Sequence, residues 1–140
     1  MRFTFSVDPA GGGSGLVLGN LEIAGPDGSV SSAGRRPDQS FMVYLGLVDL
    51  VDGLTGLADG RRRSYEFVGP DSSFIVVFRR KRDKISASAY GSQLGAEPAP
   101  DMLAGLRAGI DEFLAAHPLD PTEPGAGDVA AAVGTLRARA

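Results

Sequence analysis

Residues 61–90 read RRRSYEFVGPDSSFIVVFRRKRDKISASAY, and this stretch decides the fold class. We predict three short strands in it, at 64–68, 74–80 and 85–90, because apolar and polar residues alternate and β-branched or aromatic side chains are frequent. The segment between the first two runs contains Gly-Pro-Asp, and the next contains Arg-Asp; such residues favour turns. The stretch therefore predicts an antiparallel three-stranded meander.

The pairing of these strands follows from tight turns at both connections. A tight first turn predicts that Tyr65 lies opposite Val76, and a tight second turn predicts that Arg80 lies opposite Ile85. Because side chains alternate between the two faces of a sheet, one face collects eight apolar or aromatic residues. These are Tyr65, Phe67, Phe74, Val76, Phe78, Ile85, Ala87 and Ala89. We expect this face to lie on the core and the other face to be mostly in water.

Two further strands are predicted before the meander, at 2–7 and 17–23, with a short third strand at 29–33. The segment 11–15 consists of four glycines and a serine. A phosphate-binding loop needs Lys and then Ser or Thr after its last glycine, whereas Leu16 follows here. We therefore interpret the segment as a flexible connection.

A first helix is predicted from Asp38, a favourable N-cap, to about residue 58, with Gly60 as its C-terminal stop. Three aspartates mark its solvent side: Asp49, Asp52 and Asp59. Three glycines weaken this helix but permit close approach to a strand or another chain: Gly46, Gly53 and Gly56.

After the meander, residues 91–100 are rich in Gly, Ala and Pro and predict a loop. A second helix is predicted at 100–116, followed by a Pro/Gly linker at 119–127. Asp128 can then cap a short final helix.

Together these elements predict an α+β fold with an antiparallel sheet of five to six strands. Two or three N-terminal strands precede the meander, two helices pack on one face of the sheet, and a short C-terminal helix follows. We expect a single domain at 1–118, with the linker and the last helix at 119–140.

Composition excludes several classes of function. The 140 residues include no cysteine, so disulfides and thiol chemistry are excluded, and the apolar runs contain too many charges for a membrane span. The one histidine, His117, ends the second helix without a catalytic partner nearby in sequence. We predict no catalytic residue, no metal site and no cofactor, and we expect a cytoplasmic protein that does not associate with a membrane.

One surface has an unusual charge. Antiparallel pairing brings together eight of the fourteen basic residues of a chain whose net charge is −3. They are Arg61, Arg62, Arg63, Arg79, Arg80, Lys81, Arg82 and Lys84. The plainer interpretation is protection of the strand ends against sheet-to-sheet pairing. The functional interpretation is an anion-binding patch, for which an acidic protein partner is favoured over nucleic acid because no aromatic side chains interleave with the cations.

The segments LVDLVDGL at 47–54 and RSYEFVGPDSSF at 63–74 resemble those of small single-domain α+β proteins of actinobacteria, some of which are immunity proteins encoded beside polymorphic toxins. We predict a non-enzymatic protein-binding module of immunity or accessory type, because the sequence has one histidine, no cysteine, no cluster at metal-ligand spacing and no paired acids in a recognisable catalytic setting. Two alternatives stay open. One is a small enzyme or ligand-binding protein with a pocket between helix and sheet, and the other is a protein that binds anions or nucleic acid through the basic residues.

A homodimer is also predicted. Ile75 and Val77 are apolar residues on the otherwise polar face of the meander, and Leu16 and Leu18 lie on the outward side of an N-terminal strand. Exposed apolar residues grouped in this way usually mark a contact surface.

Overall fold

The computed structural model of the chain describes residues 1–13, 16–34, 39, 41–70, 72–122 and 125–139. These residues form eight strands and three helices. In chain order they are β1 (Arg2–Gly13), β2 (Leu16–Ala24), β3 (Ser29–Ser31), β4 (Phe41–Met42), α1 (Val43–Ala58), β5 (Ser64–Val68), β6 (Ile75–Lys81), β7 (Lys84–Ala89), β8 (Ser92–Pro98), α2 (Ala99–Ala116) and α3 (Ala126–Ala138). The predicted α+β class and the short C-terminal helix are confirmed.

The strands are divided between two antiparallel sheets of four, whereas the sequence predicted one sheet of five to six strands. The first sheet has the order β1-β2-β3, with β4 also paired to β2, and the second has the order β5-β6-β7-β8. Isolated contacts link the two halves, including an ion pair between the Met1 ammonium group and Glu97 at 2.6 Å. The Asp27 N–H donates to the Leu94 carbonyl at 3.0 Å, and the Met42 N–H donates to the Pro70 carbonyl at 3.4 Å. The halves therefore meet without forming a continuous ladder.

Helix α1 lies at the centre of the molecule, where it contacts both sheets and both other helices. Ten of its sixteen residues are buried, which is typical of a helix covered on most sides. Three aspartates at its remaining solvent side are exposed, as predicted: Asp49, Asp52 and Asp59.

Two glycines of α1, Gly46 and Gly53, allow aromatic rings, including two from strand β5, to pack directly against the helix backbone. A Cβ atom at Gly53 would overlap three atoms of the Tyr65 ring, and a Cβ atom at Gly46 would crowd the ring of Phe41 and touch that of Phe67. Any other residue at these positions would push the strand away from the helix. The predicted close approach of the helix to a strand is thus seen in the structure.

The end of α1 has the form expected for a glycine stop. Gly60 has a φ of 76°, in the left-handed region. Its N–H donates to the Leu57 carbonyl, and the Arg61 N–H donates to the Gly56 carbonyl, which is the Schellman arrangement. At the other end the helix begins at Val43 without a side-chain cap, and the predicted cap, Asp38, lies outside the described residues.

The meander confirms one predicted register and corrects the other. Arg80 pairs with Ile85 as predicted, but Tyr65 pairs with Phe78 instead of Val76. The first loop is longer than a tight turn. The last pair of the ladder is Val68 with Ile75, and the Gly69 N–H donates to the Phe74 carbonyl at 2.9 Å, so the loop lies between Gly69 and Phe74. A shift of two residues preserves the face on which each side chain lies. All eight side chains predicted to face the core are therefore buried.

Strand β8 was predicted as a loop, and this prediction is wrong. Tyr90 and Gly91 have φ values of 52° and 79°, the positive angles that a two-residue hairpin turn of type I′ requires. This turn pairs Ala89 with Ser92 and starts the fourth strand. Gly, Ala and Pro give the segment little strand propensity, so its pairing is imposed by the turn and by β7.

The N-terminal strands are longer than predicted. Strand β1 runs to Gly13 and so includes three residues of the predicted flexible connection at 11–15, of which Ser14 and Gly15 lie outside the described residues. Pairing of Gly12 with Val17 continues the ladder beyond an irregularity after Val7.

Helix α3 joins the same hydrophobic core as the preceding elements, through Val129, Val133 and Leu136. It begins at Ala126 after a left-handed Gly125, so Asp128 lies in the first turn and is not the N-cap. The domain boundary at residue 118 stays a prediction. Within the described ranges, no helix is long and apolar enough to span a bilayer.

The register of the meander has a measurable consequence for stability. Phe78 is fully buried on the inner face, whereas Ser88 lies on the outer face opposite Val77. We expect Phe78→Ala to lower the free energy of unfolding by about 3–5 kcal/mol, because a large cavity is left. Ser88→Ala should change it by less than about 0.5 kcal/mol. Urea unfolding of both variants checks this, and equal losses would contradict the assignment of faces.

Candidate functional site

The structure places the eight predicted basic residues at one end of the second sheet. Ser64 pairs with Arg79, the Arg80 N–H donates to the Arg63 carbonyl at 2.9 Å, and Lys81 pairs with Lys84 across the second turn. We call the eight residues the basic end. They are Arg61, Arg62, Arg63, Arg79, Arg80, Lys81, Arg82 and Lys84.

The basic end is divided by the plane of the sheet. On the side of the core, beyond the last buried side chains, four arginines and Gly60 line a cleft of about 290 Å³. The four are Arg62, Arg63, Arg80 and Arg82. On the outer face, alternation along β6 and β7 places Arg79, Lys81 and Lys84. The sequence predicted one patch, whereas the structure has a cleft side and an outer side.

The Arg80 side chain is held by hydrogen bonds to the backbone of the protein itself. Its guanidinium donates to the carbonyls of Leu57 and Ala58, at 2.7 and 2.5 Å, and to the carbonyl of Arg82 at 2.7 Å. Leu57 and Ala58 end α1, where carbonyls have no partner within the helix and the helix dipole is negative. Arg80 therefore joins the C-terminus of α1 to strand β6.

Arg62 is also held by neighbouring residues. Its guanidinium lies 3.3 Å from an Asp52 carboxylate oxygen and 5.6 Å from the centre of the Tyr65 ring. The Tyr65 hydroxyl in turn donates to Asp49 at 2.5 Å. Burial of the ring, together with this hydrogen bond, raises the pKa of Tyr65 far above its usual value. These contacts tie β5 to the exposed side of α1.

Arg61 belongs to a small charge network at the end of α1. Asp59 accepts from Arg61 at 3.5 Å and from Arg139, the residue after helix α3, at 2.5 Å. The hydrogen bond from Arg139 is the main cause that lowers the pKa of Asp59. Because all of these side chains are at least partly exposed, the network is a surface feature with little weight in stability.

Five cations of the basic end remain. In the part of the chain that the structure describes, their side chains have neither an ion pair nor a hydrogen bond. They are Arg63, Arg79, Lys81, Arg82 and Lys84. Lys81 and Lys84 even lie directly opposite each other, an arrangement that destabilises a sheet. These five residues can therefore accept an anionic group from outside the protein.

Sequence reasoning identified the members of the basic end but missed their different roles. The hydrogen bonds of Arg80 depend on where α1 ends in space, and no local pattern reports this. The Tyr65–Asp49 pair was also missed. Its only sequence signal is a tyrosine at an inward strand position and an acid on a helix that packs against that strand.

Other clefts are lined by residues of the helices α2 and α3. One of about 150 Å³ lies between β1 and α2 and is lined in part by Thr4, Ser6, Glu112 and His117. Because it lies between a helix and a sheet, it matches the position predicted for a ligand pocket, but its volume is below the range typical of ligand sites. A groove of about 530 Å³ between α2 and α3 contains the Asp111 ion pairs. No group of three His, Cys, Asp or Glu side chains among the described residues could hold a metal ion.

Comparisons with models of protein families, with curated proteins and with solved structures found no match to this chain. The resemblance to actinobacterial immunity proteins therefore stays a prediction.

The structural role of Arg80 can be separated from that of its neighbour. Arg80→Ala leaves carbonyls at the end of α1 without a charged donor, and we expect a loss of about 1–3 kcal/mol in the free energy of unfolding. Arg79→Ala, on the same strand but with an exposed side chain, should cost less than about 0.5 kcal/mol. Chemical denaturation measures both values. A loss of unfolding free energy for Arg79→Ala as large as that for Arg80→Ala would contradict the conclusion that Arg80, and not Arg79, supports the fold.

Proposed function

We propose that this chain is a non-enzymatic protein-binding module of immunity or accessory type, which acts in the cytoplasm by covering an acidic surface of a partner protein. The observation that carries the proposal is the group of five cations at the basic end that lack any partner among the described residues. The chain is acidic overall, with a net charge of −3. A local concentration of free positive charge on such a protein steers an acidic partner to one end of the molecule.

The pairing of Lys81 with Lys84 supports this interpretation over protection of the strand ends alone. A single charge at a strand end is enough to discourage sheet-to-sheet association. Two lysines directly opposite each other repel, and the Arg82 between them has a φ of 60°, which is unfavourable for a residue with a side chain. This local cost is offset if an acidic partner neutralises the charges.

An acidic protein is favoured over nucleic acid. Binding to single strands usually combines cations with aromatic side chains on which bases stack. None of the eight residues of the basic end is aromatic, and the aromatic residues nearest to them in sequence, Phe78 and Tyr65, are buried. Duplex binding stays a less favoured candidate because it needs only cations that contact phosphates.

Affinity purification from the native host with charge-matched variants tests the proposal. The test variant replaces Arg79, Lys81, Arg82 and Lys84 with Gln. The control replaces Arg2, Ser6 and Thr135 with Glu, at exposed positions of β1 and α3. Each variant changes the net charge by the same amount, from −3 to −7.

We expect an acidic protein to be retained by the wild type and by the control, and to be lost with the test variant. Its association rate should fall as salt is raised, because exposed charges more than about 8–10 Å apart are screened at physiological ionic strength. Retention of every partner by the test variant would contradict the proposal. Recovery of DNA or RNA in place of a protein would favour the nucleic-acid alternative.

A further inference from the structure

We propose that the acidic partner docks on the outer face of the second sheet, where an apolar patch adjoins three of the free cations, and not in the arginine-lined cleft. This inference rests on the proposed function and adds the location of the contact and the chemistry of the partner. The partner surface would combine exposed aliphatic or aromatic side chains with Asp or Glu beside them.

The apolar part of this face lies away from the basic end. Val68 is 41% exposed and Tyr90 is 53% exposed, and both rank among the most exposed large apolar side chains of the described residues. Ile75 and Val77 lie beside them and are half-buried. Val68 pairs directly with Ile75, so the patch extends across two strands, and the exposed Glu66 borders it opposite Val77.

No described helix or strand packs on this face, and the loop residue Gln39 reaches only its margin, where it accepts a hydrogen bond from the Tyr90 hydroxyl at 3.2 Å. The side chains that meet the core alternate with those of the patch, and α1 and α2 contact the second sheet from the core side. Helix α3 packs against α1 and α2. The C-terminal helix therefore does not cover Ile75 and Val77.

Along strand β6, the outward-facing residues change from apolar to charged. From Val77, successive outward positions of β6 are Arg79 and Lys81, and Lys84 stands opposite Lys81 on β7. A partner that spans this distance buries apolar side chains at one end and pairs with cations at the other. Protein interfaces commonly have this arrangement of an apolar centre and a charged margin.

The charge pattern disfavours a second copy of the chain as the occupant. A two-fold axis along the strands would set Lys81 and Lys84 against the same lysines of the other copy. An axis across the strands would set these lysines against the apolar patch around Val68 and Ile75. The first arrangement leaves the lysines without acidic partners and the second supplies a single carboxylate from β5, Glu66, whereas an acidic and apolar partner supplies counter-charges for all three cations of the face.

The cleft is less suited to docking. Two of its four arginines are engaged within the protein, since Arg80 donates to the end of α1 and Arg62 pairs with Asp52. This leaves Arg63 and Arg82 there to bind an anion, and no exposed large apolar side chain among the described residues lines the cleft.

Selection from a random 12-residue peptide display library on the purified full chain tests the inference. Enriched peptides are then synthesised, and their dissociation constants are measured at 150 mM salt against three variants. The outer-face variant is Lys81→Glu with Lys84→Glu. The cleft variant, Arg63→Glu with Arg82→Glu, changes the net charge by the same amount. The third variant is Val68→Ser, which removes apolar surface only.

We expect enriched peptides to combine Asp or Glu with Leu, Ile or Phe. The outer-face variant should weaken their binding at least about tenfold, and Val68→Ser should weaken it several-fold without changing its salt dependence. The cleft variant should weaken it by less than about threefold, because its charges lie on the other side of the sheet.

Loss of binding with the cleft variant alone would overturn the docking face and leave the proposed function standing. Binding that survives both charge reversals, or a selection that enriches no acidic peptides, would overturn both. A chain that sediments as a dimer at micromolar concentration, and becomes a monomer on Val68→Ser, would assign the face to a second copy and would also overturn the inference.

Discussion

The close contact between helix α1 and strand β5 is the constraint on which the rest of the structure depends. Tyr65 lies flat against the helix at Gly53, where the absence of a side chain leaves room for the ring. Its hydroxyl donates to Asp49 one turn earlier on the same helix. Each glycine of α1 costs about 1 kcal/mol of helix propensity relative to Ala. Burial of an aromatic ring and its contacts more than offsets this cost.

The position of the basic end follows from this contact. With β5 fixed against α1, strand β6 is fixed by its pairing with β5, and Arg80 reaches the last carbonyls of the helix. Arg62 is set over the ring of Tyr65 by the same packing. The remaining cations are then carried on rigid strand ends, so a partner meets them without ordering long loops first.

Much of this arrangement could be predicted from the sequence, because strand alternation is a local signal. The inward face of the meander was predicted correctly even though the first register was wrong, since a slip from Val76 to Phe78 is two residues and preserves the face. Gly-Pro-Asp before Phe74 indicated a tight turn, but the loop there is longer, so the turn signal gave the wrong register. Strand β8 was missed because Tyr90 at a positive φ is an unusual turn residue, and the strand has little propensity of its own. The roles of Arg62 and Arg80 could not be predicted either, because they depend on where a distant helix ends.

The most direct test of the constraint between α1 and β5 is the unfolding free energy of Gly53→Ala compared with that of Gly134→Ala. Both changes improve helix propensity, but a Cβ atom at Gly134 in α3 meets no other atom within 4 Å, whereas at Gly53 it would overlap the ring of Tyr65. We expect Gly134→Ala to stabilise the protein by up to about 1 kcal/mol. Gly53→Ala should destabilise it by about 1–3 kcal/mol, because the ring is held by Asp49 and the tightly packed contact cannot relax cheaply. An increase in stability at Gly53 equal to that at Gly134 would contradict the dependence of the fold on this contact.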